Sequence, residues 1–140
     1  MKLNTIKEDG WNKTRWCGPT ALAIITGRTL KFCHNKLARL EKKEPRYLKG
    51  VQWFNMTRSL QAMGFKCERV ASAESMTLRQ YIEEVQTSKH FRDIMLVYVT
   101  SHYVVIHRGM VVDNHVTAPL PVREHPAWRT HIKLAWFVKK

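Results

Sequence analysis

The hydrophobic positions fall into short periodic groups separated by glycine, proline and polar residues. In "TALAIIT", Ala21, Leu22, Ile24 and Ile25 are followed by Gly27, a residue type that commonly ends helices, which predicts a short, largely buried first helix. Pro19 suits the first turn of that helix, so its start falls at or beside Cys17. From Thr29 a second helix is expected, with Leu30, Cys33, Leu37 and Leu40 on one face and an end before Pro45. Val51, Phe54, Leu60 and Met63 continue a third helical pattern, which Gly64 terminates. "FKCERV" alternates as a strand does, and a fourth helix is predicted from Thr77, a capping residue, to about Ser88, with Leu78, Tyr81, Ile82 and Val85 apolar.

After residue 90 the pattern changes. "DIMLVYVT", "HYVVIH", "MVVDN" and "IKLAWFV" are short runs rich in β-branched and aromatic residues and predict an antiparallel sheet. Prolines 119, 121 and 126 imply a surface loop before the last strand. The expected fold class is α+β, a single domain over residues 1–140, with an N-terminal helical half packed on a C-terminal antiparallel sheet.

With 44% hydrophobic residues, 140 residues suffice for one core. The opening "MKLNTIKEDGWNK" contains no apolar core of a signal peptide, and no apolar run is long enough to span a bilayer. Three cysteines at irregular spacing, Cys17, Cys33 and Cys67, do not read as a disulfide framework. Together these features lead to the expectation of a soluble cytoplasmic protein that does not enter a membrane. Cys33, His34 and Cys67 lack the paired spacing of a zinc site, so no metal or other cofactor is expected.

Charge adds one partner class. The chain carries 24 Lys and Arg against 11 Asp and Glu, a formal +13, which favours polyanions through phosphate contacts and counterion release. The densest basic stretch runs from Arg28 to Lys49. It reads equally as a solvated helix face and as a surface for nucleic acid or an acidic protein. Trp11, Trp16, Trp53 and Trp128 read as packing residues.

The candidate chemistry begins at "RWCGPT". A cysteine at a helix N-terminus sits by unsatisfied N–H groups and the positive end of the helix dipole, which favour a thiolate. A nucleophilic thiol also needs a base, usually histidine, and a group to orient it. Among seven histidines, His102 is best placed, because Thr100-Ser101 break two apolar strands and His102 opens the second. If Arg108-Gly109 form a two-residue turn, His107 opposes Met110 and Val104 opposes Asp113. Residues 102, 104, 111 and 113 then share one sheet face, where diagonal neighbours lie about 7 Å apart. If the loop is His107 to Gly109, the register moves and Asn114 takes that face. A lone cysteine on an apolar helix is commonly a small buried hydrophobe; the combination with a strand histidine and an acid one hairpin away points to catalysis. His34, His90, His107, His115, His125 and His131 read as surface or packing residues, with His115 a spare candidate, and Cys33 and Cys67 read as core.

"WCGPTALAIITGR", "MTRSLQAMGF" and "HYVVIHRGMVVDN", spanning roughly Trp16 to Asn114, resemble the papain-like cysteine peptidases. They are closest to the compact peptidases that process double-glycine leader peptides. The resemblance implies a papain-like fold with its active cleft between a helical half and a β half. It implies Cys17 as nucleophile, His102 as general base and then acid, and Asp113 as the residue holding the imidazole, acting on a peptide or protein substrate. The family carries a glutamine about six residues before the cysteine as an oxyanion donor. Here Trp11 takes that place, and Asn12 is the neighbouring amide that could substitute. Loss of one such donor costs about a hundred- to a thousandfold in rate. Asn114 stands where the family commonly has proline, and it is the alternative orienter. The other function class is a catalytically weak papain-like fold that binds polyanions, and the short, basic chain is compatible with a phage-encoded protein.

Overall fold

The computed structural model describes residues 2–4, 17–48, 50–114 and 118–140, without the side chain of Tyr47. Helices α1 (Cys17–Thr26), α2 (Leu30–Leu40) and α3 (Trp53–Ala62) are followed by strand β1 (Lys66–Arg69) and helix α4 (Leu78–Val85). Strands β2 (Ile94–Val99), β3 (His102–His107), β4 (Met110–Val112), β5 (Leu120–Pro121) and β6 (Leu134–Lys139) complete an antiparallel sheet in the order β1-β6-β2-β3-β4-β5. The protein is therefore α+β, with four α-helices and a six-stranded antiparallel sheet.

Local chemistry accounts for the helix ends. Thr29 caps α2 by accepting from the Phe32 N–H at 3.1 Å. Thr77 and Gln80 form a reciprocal capping box on α4, with each side chain accepting from the other's backbone N–H. At the C-terminus of α1, Gly27 takes a left-handed φ of 76°. The Asn4 side-chain amide there donates to the Ile24 and Ile25 carbonyls, which helical bonding leaves unpaired. Leu22, Ile24 and Ile25 are at most 1% exposed, and burial of each such side chain contributes about 1.5–3 kcal/mol. Because nearly every residue of α1 is buried, this helix runs through the core between α2, α3 and β3.

The sheet is covered on both faces, which changes the expected two-half layout. One core joins α1, α2 and α3 to Ile94, Leu96, Tyr103, Val105, Val112, Trp136 and Val138. A second core places α4 against Met95, Val97, Val104, Ile106, Val111 and Phe137, the alternate residues of the same strands. Coverage of both faces explains why β2 reads "IMLVYV", a continuous apolar run rather than an alternating one. β1, from the helical half of the sequence, joins the sheet by pairing with β6. The proline-rich segment contributes the short β5, which contains Pro121 and lies at the sheet edge, where a missing N–H costs no ladder bond.

Two tight hairpins set the register around β3. Val99 pairs with His102 across Thr100-Ser101, and Ser101 adopts a φ of 53°. His107 pairs with Met110 across Arg108-Gly109, whose φ values of 53° and 74° are those of a type I′ turn. The two-residue alternative is therefore the one the chain adopts, and Val104 and Val111 lie in the same core. Among the described residues, no helix is long and apolar enough to cross a membrane.

Candidate functional site

The site forms at the end of the sheet where β3 begins. Cys17, half-buried, is the first residue of α1, which packs against β3 from one side. Gly18 lets α1 lie close to the segment before α3: a Cβ there would lie 3.0 Å from Val51 Cγ2. The Tyr103 hydroxyl donates to the Val51 carbonyl at 2.7 Å, tying the start of β3 to the same segment. His102 opens β3, and Asp113 follows β4 directly.

His102 Nε2 donates to Asp113 Oδ2 at 2.8 Å. This leaves Nδ1 for the Cys17 thiol, with which the His102 side chain shares a hydrogen bond. The Asp113 side chain is fully buried and that of His102 is 19% exposed. Cys17, His102 and Asp113 thus form one connected chain of hydrogen bonds. Asp113, rather than Asn114, is bonded to His102 because the two-residue turn fixes the register. Asn114 is buried next to it. Asn12, the oxyanion candidate, and His115, the spare histidine, lie outside the described residues.

The electrostatics favour separated charges. Burial alone would push the Cys17 thiol up. The hydrogen bond to His102, the Tyr103 N–H, the His102 charge and the Gly18 N–H outweigh it and hold the thiol below its ordinary value. Burial alone would lower His102, but its hydrogen bonds to Asp113 and Cys17, and the charges on both, raise it to about 9. The two shifts have one physical origin, since a thiolate and an imidazolium in contact each stabilise the charged form of the other. Cys67 gives the contrast: burial with no compensating partner pushes it up to about 11. Cys67 is half-buried on β1 rather than a core residue, whereas Cys33 is fully buried in the first core.

The residue that sequence reasoning missed is His125. It was expected at the surface or in packing, yet it is 4% exposed and its Nε2 donates to the same Asp113 Oδ2 at 2.7 Å. The backbone N–H of Ala127 donates to His125 Nδ1 at 3.0 Å. His125 ends the 3-10 turn Val122–Glu124 and precedes Pro126, which restricts it to the extended backbone observed, φ −86° and ψ 140°. The loop beyond it is held to the start of α4 by bonds from the Leu78 N–H to the Thr130 carbonyl and from the Arg79 N–H to the Trp128 carbonyl. The available signal was the histidine-proline pair, which marks a fixed backbone but not its partner.

A cavity of about 310 Å³, lined by Val99, Thr100, His102, His125, Ala127 and Thr130 among others, opens beside the two imidazoles. Among the described residues, no group of three or more His, Cys, Asp or Glu has the geometry to hold a metal ion. Trp53, expected to pack, is 40% exposed and stacks on Trp136 with ring centroids 5.9 Å apart. Comparison with protein-family models, with curated proteins and with solved structures finds no match to this chain.

Proposed function

We propose that the protein is a papain-like cysteine peptidase that hydrolyses a peptide or isopeptide bond. The observation that carries this reading is the Cys17, His102, Asp113 chain, with a thiol below its ordinary pKa next to an imidazole raised to about 9. Cys17 Sγ attacks the carbonyl carbon, and the negative charge on oxygen develops at the N-terminus of α1, where the positive end of the helix dipole favours it. His102, holding its proton on Nδ1, gives it to the leaving amine as the C–N bond breaks. The acyl-enzyme is then attacked by water, which loses a proton to His102, and hydrolysis restores the thiolate and imidazolium. Asp113 fixes the imidazole orientation and balances its charge. The steps need no metal or organic cofactor. The cavity beside His102 offers room for a substrate side chain. The substrate is a peptide or protein, Asn12 is the proposed further oxyanion donor, and Asn114 is not needed as orienter.

The test is the pH dependence of Cys17 alkylation by iodoacetamide in wild type and His102→Ala. The proposal expects an apparent pKa well below the ~8.5 of a free thiol, rising when His102 is removed. An ordinary thiol pKa, unchanged in His102→Ala, overturns it.

A second reading, a polyanion-binding module, is favoured by a cavity of about 570 Å³ between α4, the β3–β4 turn and the segment after β5. Arg79, Arg108 and Arg123 line it beside Trp128. Arg79 is paired with Glu83 at 3.0 Å, whereas Arg108 and Arg123 make no ion pair among the described residues. Single-stranded oligonucleotide binding should weaken steeply with salt, and Arg108→Glu with Arg123→Glu should reduce that slope. Salt-independent binding, or none, eliminates this reading.

A further inference from the structure

We propose that His125 is a positioning residue of the Cys17 site, donating from Nε2 to the carboxylate oxygen that also serves His102 and thereby holding Asp113 ionised and correctly turned. The inference rests on the reading of Cys17, His102 and Asp113 as a catalytic chain.

The hydrogen bonds define what His125 can do. Its Nδ1 accepts from the Ala127 N–H at 3.0 Å, so that nitrogen carries no proton. The proton is then on Nε2, which lies 2.7 Å from Asp113 Oδ2. In this tautomer His125 is neutral. It supplies Asp113 with a hydrogen bond but no charge, and does not compete with the His102 imidazolium for the carboxylate. A charged His125 would need a proton on Nδ1 and would lose the Ala127 bond.

Burial makes this donor consequential. The Asp113 side chain is out of contact with water, so its ionised form depends on protein donors filling its lone pairs. With one donor removed, the carboxylate is pushed toward the neutral acid, which cannot hold an imidazolium, and its orientation is held by one bond fewer. Either change weakens the His102 charge and so the Cys17 thiolate. The backbone around His125 is constrained accordingly. The His125 N–H donates to the Val122 carbonyl, the Trp128 N–H donates to the His125 carbonyl, and Pro126 lies between them. Cys17 from α1, His102 from β3, Asp113 after β4 and His125 from the late loop thus form one four-residue relay of hydrogen bonds.

The experiment compares Cys17 alkylation by iodoacetamide as a function of pH in wild type, His125→Ala and His125→Gln, using the full chain. His125→Ala should raise the apparent thiol pKa and cut the rate near pH 6 by about tenfold. His125→Gln, whose amide N–H can replace the Nε2 donor, should return the rate to within about threefold of wild type. Profiles of folded His125→Ala that superimpose on wild type overturn the proposal, as does a folded His125→Gln no better than His125→Ala. If His125→Ala does not fold, NMR of the wild type decides: the His125 imidazole N–H signal should move when Cys17 is alkylated, and an unmoved signal overturns the proposal. A wild-type thiol with an ordinary pKa that His102→Ala leaves unchanged removes the catalytic reading itself. A depressed thiol pKa unaffected by His125→Ala removes only this inference.

Discussion

Asp113 separates charge from geometry in this site, and replacing it by asparagine or alanine should give two different results. In Asp113→Asn a carbonyl oxygen can still accept from His102 and His125, at 2.8 and 2.7 Å in the wild type, but the charge is gone. A hydrogen bond to a charged group is worth about 1.5–3 kcal/mol net, against about 0.5–1.5 for a neutral one. The difference of about 1–1.5 kcal/mol corresponds to roughly one pKa unit on His102, and so to about a tenfold fall in the equilibrium constant that favours the thiolate-imidazolium pair over the neutral thiol and imidazole. Asp113→Ala removes the oxygen that accepts both bonds and strands the nearly buried Nε2–H of His125, which costs a further ~1–3 kcal/mol of stability. Its Cys17 reactivity should fall about a hundredfold, because the imidazole then loses both its counter-charge and its fixed orientation. The assay is peptide-resolved iodoacetamide labelling between pH 5 and 10, with folding checked by urea unfolding. Cys67 is the internal control: with a pKa raised to about 11, only about one part in ten thousand is ionised at pH 7. If Cys17 labels identically in wild type, Asp113→Asn and Asp113→Ala, while Cys67 stays slow, Asp113 does not hold the imidazolium and the electrostatic argument fails.

The pH dependence follows in sign from the two shifts. The thiol, lowered, loses its proton first, and His102 keeps its proton up to about 9. NMR titration of His102 should therefore show a midpoint near 9 rather than 6.5, and the proposed mechanism expects peptide hydrolysis to decline above about 9 as His102 loses the proton it would give to the leaving amine; a midpoint near 6.5 contradicts the pairing. Gly18→Ala brings a Cβ to 3.0 Å from Val51 Cγ2 and should cost about 1–2 kcal/mol in urea unfolding, with slower Cys17 labelling as α1 shifts. Unchanged stability would mean that Val51 yields freely. Arg108→Asn places the residue favoured by a type I′ turn where φ is 53° and should stabilise the protein by about 0.5 kcal/mol in thermal unfolding. A lower melting temperature would count against the turn.

Elements governed by near neighbours were legible in the sequence. The α1 pattern, with Pro19 in its first turn and Gly27 after its end, placed Cys17 at the helix start, because helix ends are decided within a turn or so of chain. Thr29 and Thr77 were readable as helix starts for the same reason. The His102 and Asp113 pairing was nearly so, since one two-residue turn sets the register between them. The sequence left Asp113 and Asn114 as alternatives, and the turn adopted by Arg108-Gly109 resolved them.

The tertiary structure decided what depends on distant segments. The α4 cover of the second sheet face and the pairing of β1 with β6 unite segments far apart in sequence. An apolar stripe specifies that a face is buried without specifying against what. His125 is the sharpest case. It stands in a proline-rich loop without periodicity, and it reaches Asp113 only because backbone bonds to α4 hold that loop against the sheet end. The sequence alone determined the short-range parts, namely the helix ends, the strands and the hairpin that brings histidine to aspartate. Only the fold could bring the thiol and the second histidine to the same imidazole-carboxylate pair, because those contacts are set by the packing of elements and not by any local spacing.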